Sequence, residues 1–204
     1  MTGGLIRCED IATHPAFRPL AGLRGVAHDL RYACSNNFAG RPLYVGLDCA
    51  WLRNEAAAGL EAAAAWLSRE HPGHGLLVLD ALRPQRVQEA IWADVAGTDM
   101  AHYFAEPTRG SIHSFGMAVD VALLNPQGQE CDMGAGFDEM TARSHPALEA
   151  VHLANGVLTP AHLDARHLLY VAMAHGGFHG IPTEWWHFDH GDRELVRREF
   201  LRVY

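Results

Sequence analysis

Two short segments, far apart in the sequence, carry metal-ligand side chains at spacings that constrain both the fold and the chemistry of this chain. The first, from Ser111 to Asp120, contains one imidazole, His113, and the carboxylate of Asp120. The second, Glu184-Trp-Trp-His187, contains another imidazole and a spare carboxylate. Two imidazoles and one carboxylate, with a fourth position for water and a base beside it, make up the ligand set of a catalytic zinc site. The fold must bring the two segments together if one metal is to bind both.

Alternation in the first segment predicts a strand. Large apolar residues at positions 117, 119, 121 and 123 alternate with two alanines and Asp120. A strand therefore buries the large residues on one face and projects Asp120 from the other, where the alanines leave room for an ion. Gly116 supplies the loose backbone that turns His113 back toward Asp120. The alternative is a surface strand with a solvated aspartate and a capping histidine.

The second segment is rich in aromatic residues and also predicts a strand. Glu184 and His187 are three positions apart and would point to opposite faces of a regular strand. We therefore expect Glu184 to lie in a loop or bulge before the strand, and Pro182 favours this because proline cannot donate to a β-ladder. The alternative is a tryptophan-rich core strand whose histidine is only hydrogen-bonded.

The two motifs together resemble those of the zinc D-alanyl-D-alanine dipeptidases, a family associated with glycopeptide resistance. The motifs are Ser-x-His113-x-x-Gly-x-Ala-x-Asp120 and Glu184-Trp-Trp-His187. The family belongs to a superfamily with D,D-carboxypeptidases, phage L-alanyl-D-glutamate endopeptidases and the Hedgehog signalling domain. The resemblance extends from about Leu30 to the C-terminal region. It implies one zinc ion per chain, bound by His113, Asp120 and His187, with Glu184 as general base.

The resemblance also assigns roles around the metal. It implies that Arg83, in the motif Asp80-Ala-Leu-Arg83-Pro, faces the metal and stabilises the oxyanion. On the sequence alone, Arg83 is as well explained by a surface salt bridge with Asp80 or Glu89. Ser111 and nearby backbone N–H groups are expected to take the substrate carboxylate.

The resemblance implies, in addition, three residues near the substrate. Asp138 aligns with an aspartate that binds the free ammonium group of the substrate, although it could equally be an N-cap. Tyr32 and Tyr44 fall where the family has tyrosines near the substrate, although half-buried packing explains them as well.

Composition limits the class of protein. The chain has 204 residues, 49% of them hydrophobic, which suffices for one domain, residues 1–204, with a substantial core. A net charge of −8, without a basic run, disfavours nucleic acid and anionic membranes as partners. Four scattered cysteines indicate reduced thiols rather than a disulfide framework. With no apolar leader at the N-terminus, we expect a cytoplasmic protein, or a periplasmic one if a leader was removed.

Local patterns predict an α+β fold. Residues 54–70 are alanine-rich with well-spaced leucines and predict a helix that serves as scaffold. Residues 76–79 predict a buried strand, followed by a helix from Pro84 to about Val95. Residues 146–153, 162–175 and 193–198 predict further helices, and residues 29–40 a short strand and a polar turn. With the resemblance, this gives a central, mainly antiparallel sheet flanked by helices, of the Hedgehog and D,D-peptidase type.

The predicted function is zinc-dependent hydrolysis of the D-Ala-D-Ala dipeptide, a small-molecule substrate. One alternative within the same class is a D,D-carboxypeptidase or an L-Ala-D-Glu cell-wall endopeptidase, which would need an open groove. An alternative from another class is a non-catalytic zinc-containing binding module. Glu184 and Arg83 together argue against a binding module, because a purely structural metal site has no use for a base.

Overall fold

The computed structural model describes residues 5–204 of the chain. Its strands are β1 Phe17–Pro19, β2 Val26–His28, β3 Trp51–Arg53, β4 Gly75–Asp80, β5 Ala118–Leu124, β6 Phe178–Gly180 and β7 His187–His190. Its helices are α1 Asn54–Glu70, α2 Gln85–Val95, α3 Glu149–Ala154, α4 Pro160–His175 and α5 Arg193–Glu199. Short 3₁₀ turns lie between them, including Arg31–Ala33, Ala101–Tyr103 and Ile112–Phe115.

The main sheet has five strands in the order β2-β4-β5-β7-β6. β2 and β4 are parallel, whereas the β4–β5, β5–β7 and β6–β7 pairs are antiparallel. A separate antiparallel pair joins β1 to β3. Helices α1 and α4 pack against each other, and their buried faces share one apolar core with the sheet. The predicted α+β fold, with a mainly antiparallel sheet flanked by helices, is confirmed.

The scaffold helix α1 has the predicted bounds and crosses the end of α4 at a glycine pair. A Cβ atom on Gly59 would lie 2.4 Å from the carbonyl oxygen of Gly176, and one on Gly176 would lie 2.3 Å from the carbonyl oxygen of Gly59. Separations this short are sterically forbidden, so the two backbones approach as they do only because both residues lack side chains. The crossing places β6, which follows α4, at the edge of the sheet beside β7.

Strand register aligns the polar residues of three neighbouring strands. Asp120 of β5 pairs with His187 of β7 on one side and with Asp80 of β4 on the other. Residues that pair across adjacent strands project from the same face of a sheet. The register therefore places these three side chains side by side, just beyond an irregularity in β4 between Val78 and Asp80.

Two local predictions need correction. β5 is buried on both faces rather than on one, because both alternating sets of its side chains, Val119 and Val121 as well as Ala118 and Ala122, belong to the apolar core. Residues 29–40 form a 3₁₀ turn and an irregular loop instead of a strand, because the Asn37 amide donates to the carbonyl oxygens of Arg31, Cys34 and Arg41. In residues 5–204, no helix has both the length and the apolar character required to cross a membrane.

Candidate active site

His113 lies in the 3₁₀ turn before β5, and the backbone around it is held tightly. Gly116 ends the turn with φ 68°, in the left-handed region, and a Cβ atom there would lie 2.8 Å from the ring of Phe17. Both conditions require glycine. His113 Nδ1 lies 2.7 Å from the carbonyl oxygen of Ala81, to which it donates. Its Nε2 is then the unprotonated nitrogen, and it points toward Asp120 and His187.

Three ligand atoms converge at the centre of the sheet. His113 Nε2 lies 3.2 Å from His187 Nδ1 and 3.3 Å from Asp120 Oδ1, and His187 Nδ1 lies 3.0 Å from the same oxygen. Ligands held about 2.1 Å from a tetrahedral zinc ion are roughly 3.4 Å apart, so this triangle has the size that the metal requires. The structure thus brings together the three predicted ligands, and they can hold a metal ion.

The chemistry of the donor set also fits a cation. Burial lowers the pKa of His187, but the carboxylates of Asp189 and Asp120 more than offset this and raise it to about 10. Carboxylates on both sides of the His187 ring thus favour its protonated, positively charged form. A divalent ion that binds at this position replaces the proton. The donors, two imidazole nitrogens and one carboxylate oxygen, are those that zinc prefers.

Asp189 is a site residue that the sequence analysis missed. It is 2% exposed, and its Oδ1 lies 2.9 Å from His187 Nε2, on the side of the ring away from the metal ligands. Arg193 of α5 donates to its other oxygen. A carboxylate behind a ligand histidine fixes the ring orientation and the nitrogen that faces the metal. The signal was present in the sequence, because residues two apart on a strand share a face and His187 and Asp189 have that spacing.

Glu184 lies in the loop before β7, as the spacing argument predicts, and is buried. Its Oε2 is 4.0 Å from His187 Nδ1. Burial, only partly opposed by the charge of His187, raises the pKa of Glu184 to about 7. A carboxylate with this pKa can both take and return a proton near neutral pH.

Arg83 combines the two interpretations that its sequence left open. Its Nε and Nη2 donate to Asp80 at 3.1 and 2.7 Å, and its Nη1 donates to Gln88 at 3.2 Å. Glu89 takes no part, so the predicted partner is Asp80, within the interior rather than on the surface. Nη2 also lies 3.6 Å from Asp120, and the guanidinium group lines the same cavity as the metal ligands. Two of its five N–H groups remain available to a ligand.

Asp138 has an unusual backbone conformation and a poorly satisfied carboxylate. Its φ is 58°, which makes it the sole non-glycine residue in the left-handed region within the described part of the chain. The residue is 8% exposed, and its carboxylate accepts a hydrogen bond from the backbone N–H of Phe38 at 3.2 Å. Burial, together with the negative charge of Asp120, raises the pKa of Asp138 well above its ordinary value. Backbone strain combined with a buried carboxylate marks a ligand-binding position.

The side chains described so far surround one cavity with a volume of about 290 Å³. Of the predicted substrate-binding residues, Asp138, Ser111 and Tyr32 line this cavity. Tyr44 does not reach it. The Tyr44 hydroxyl group is buried and donates to Asp80, behind Arg83, so this tyrosine supports the arginine rather than touching a ligand.

Comparison with known proteins identifies the family. Residues 16–204 match the family described as peptidase M15, D-ala-D-ala dipeptidase. The chain belongs to this family. A D-alanyl-D-alanine dipeptidase of Escherichia coli (strain K12) is 39% identical over 163 residues, which cover 79% of this chain and 77% of that protein.

More distant relatives carry the same name. A D-alanyl-D-alanine dipeptidase of Enterococcus faecium is 29% identical over 187 residues, covering 81% of this chain and 86% of that protein. Among solved structures, that of the LdcB LD-carboxypeptidase, described in connection with peptidoglycan recognition, has a TM-score of 0.45 and 18% identity. This alignment covers 74% of the present chain and 64% of the carboxypeptidase.

Proposed function

We propose that this chain is a zinc-dependent dipeptidase that hydrolyses D-alanyl-D-alanine with one zinc ion per chain. The observation that carries the proposal is the convergence of His113, Asp120 and His187 within 3.3 Å of one another, beside a buried acid whose pKa is about 7. The names of the relatives supply the substrate, and the cavity is small enough to suit a dipeptide.

Zinc bound by these residues would supply Lewis-acid chemistry, which lowers the pKa of water from about 16 toward roughly 7. Glu184 acts as the general base. It takes a proton from the attacking water and later gives it to the leaving amine, and burial, which raises its pKa, helps it to hold the proton between the two transfers. Asp189 and the Ala81 carbonyl group hold the two imidazole rings from behind, so that each presents one nitrogen to the metal.

Arg83 stabilises the negative charge that develops on the carbonyl oxygen. Asp80 and Gln88 fix its guanidinium plane, and the Tyr32 ring, 4.9 Å from its carbon atom, packs against it. A donor held rigidly in this way does not need to reorganise during the reaction. Loss of one such donor typically lowers the rate by about a hundredfold to a thousandfold.

Asp138 recognises the free ammonium group of the dipeptide. The buried carboxylate has one backbone donor and lies among other acids, so a substrate cation is the partner that compensates its charge. A peptide with an acylated N-terminus would leave that carboxylate unpaired, which costs several kcal/mol for a buried charge. This contrast separates a dipeptidase from a carboxypeptidase.

The decisive experiment is a hydrolysis assay of the zinc-loaded protein on three peptides, namely D-Ala-D-Ala, L-Ala-L-Ala and a pentapeptide that ends in D-Ala-D-Ala. The expected result is cleavage of D-Ala-D-Ala with little activity on the other two. Preferred cleavage of the pentapeptide would instead identify a D,D-carboxypeptidase. Zinc binding without hydrolysis of any peptide would point to a binding module.

A further inference from the structure

Besides Arg83, three arginines line the same cavity as Glu184 and the metal ligands. Arg109 belongs to the loop before the metal motif, and Arg193 and Arg197 belong to α5. Asp138 comes from a different segment, the loop that follows β5. Within residues 5–204, none of the three arginines forms an ion pair with Asp138 or Glu184, so the charges of those two acids are not neutralised by the cluster.

The positive charge of this arginine cluster, Arg109, Arg193 and Arg197, is poorly compensated. Glu194, whose side chain is 74% exposed, is shared between Arg197 at 2.7 Å and Arg109 at 3.8 Å. Arg193 pairs with Asp189, but that carboxylate is already engaged with His187. The protein as a whole has a net charge of −8, so a local excess of arginine is not a general property of its surface.

Arg197 is the most enclosed member of the cluster and has unused hydrogen-bonding capacity. Its side chain is mostly buried, and its Nε and Nη2 atoms share one acceptor, the Gly110 carbonyl oxygen, at the long distance of 3.4 Å each. Partial burial and the nearby charge of Arg109 lower its pKa. A guanidinium group in these surroundings suits a carboxylate ligand, which can accept two parallel N–H bonds.

We propose that the arginine cluster is a subsite for a carboxylate group on the C-terminal residue of the peptide, with Arg197 as the principal contact. The inference rests on the proposed peptidase function and extends it to the leaving residue. Asp138 pairs with the ammonium group, and the arginine cluster pairs with a negative charge at the other end of the substrate. That charge is either the α-carboxylate or the side-chain carboxylate of an acidic residue, and both have the same chemistry.

The test compares the zinc-loaded wild-type protein with Arg197→Gln on D-Ala-D-Ala, D-Ala-D-Ala amide and D-Ala-D-Glu α-amide. Arg198→Gln is the matched control, because Arg198 is the next residue of the same helix, lies outside the cavity and is 66% exposed. Arg109→Gln is a second variant, at an exposed side chain whose replacement removes a charge without disturbing the core. Thermal unfolding and zinc analysis check that each variant is folded and loaded with metal.

We expect Arg197→Gln to lower kcat/KM for a carboxylate-bearing peptide by about tenfold or more, the effect of losing a hydrogen bond to a charged group, and to leave D-Ala-D-Ala amide nearly unchanged. A loss confined to D-Ala-D-Ala identifies the α-carboxylate as the ligand. A loss on D-Ala-D-Glu α-amide identifies a side-chain carboxylate. Arg198→Gln should match the wild type on all three peptides.

Equal losses on all three peptides, or no loss on any, would overturn the subsite. Failure of the wild-type protein to hydrolyse any peptide would contradict the peptidase function instead. In that case, calorimetric binding of D-Ala-D-Ala and of its amide to wild type and Arg197→Gln still tests the cluster. The subsite is supported if the wild type binds D-Ala-D-Ala more tightly than its amide and Arg197→Gln does not. Equal affinities of the wild type for the two peptides refute it.

Discussion

Replacing Asp189 with asparagine is expected to weaken zinc binding, although this residue does not touch the metal. Asp189 holds His187 by a 2.9 Å hydrogen bond and is itself held by Arg193. Asparagine keeps an acceptor for the imidazole N–H but removes the negative charge, and its amide group has no attraction for Arg193. Alanine at the same position removes the acceptor as well. The two variants therefore separate the contribution of the charge from that of the hydrogen bond.

The magnitude follows from the electrostatics of the site. Although burial alone would raise the pKa of Asp189, His187 and Arg193 lower it to about 2, nearly two units below its ordinary value of 3.8. This shift corresponds to roughly 2 kcal/mol of stabilisation of the carboxylate, shared between its two partners. We therefore expect Asp189→Asn to raise the Kd for zinc by about tenfold and Asp189→Ala by up to about a hundredfold, the range seen for groups behind ligand histidines.

Competition between the protein and a chromophoric chelator measures these zinc affinities directly. Urea unfolding of the metal-free protein provides a second measurement. Because the folded pKa of Asp189 lies below the unfolded value, its stabilisation is present above about pH 4 and is lost as the pH falls toward 2. The free energy of unfolding of the wild type should exceed that of Asp189→Asn by about 2 kcal/mol at pH 7, and this difference should vanish near pH 2. A folded Asp189→Ala variant with wild-type zinc affinity would refute the reasoning.

Three further substitutions test other parts of the structure. Glu184→Gln should keep the zinc content, measured by metal analysis, while lowering kcat by at least about a hundredfold because the general base is lost; retained turnover would exclude Glu184 from that role. Asp138→Asn should reduce kcat/KM for D-Ala-D-Ala far more than for its N-acetylated analogue, and equal reductions would count against ammonium recognition. Gly59→Ala should lower the free energy of unfolding by about 1–3 kcal/mol in urea, since its Cβ would collide with Gly176; an unchanged midpoint would show that the crossing relaxes freely.

Much of the fold and site followed from short-range sequence patterns. Helix α1 has the predicted bounds because its helix propensity and its packing agree, since the alanines and leucines that favour a helix also form its buried face. Glu184 lies in a loop, as predicted, because its spacing from His187 does not fit a regular strand that carries both. These inferences needed only local geometry and the chemistry of each residue type.

What the sequence did not reveal depends on how distant segments pair. The alignment of Asp80 with Asp120, and hence the support that Tyr44 gives to Arg83 through Asp80, is set by the register between β4 and β5. No periodicity in either segment encodes that register. The convergence of α5 arginines on the cavity likewise arises from the packing of α5 against the 3₁₀ turn Ile112–Phe115, which local patterns do not predict.

The side-by-side alignment of Asp80, Asp120 and His187 limits where the length of this chain can change. Inserting or deleting a single residue within β5 or β7 would turn the remainder of that strand over, so that a ligand would face the opposite side of the sheet. The turn at residues 125–128, at the far end of β5, is under no such constraint and can lengthen without disturbing the metal ligands.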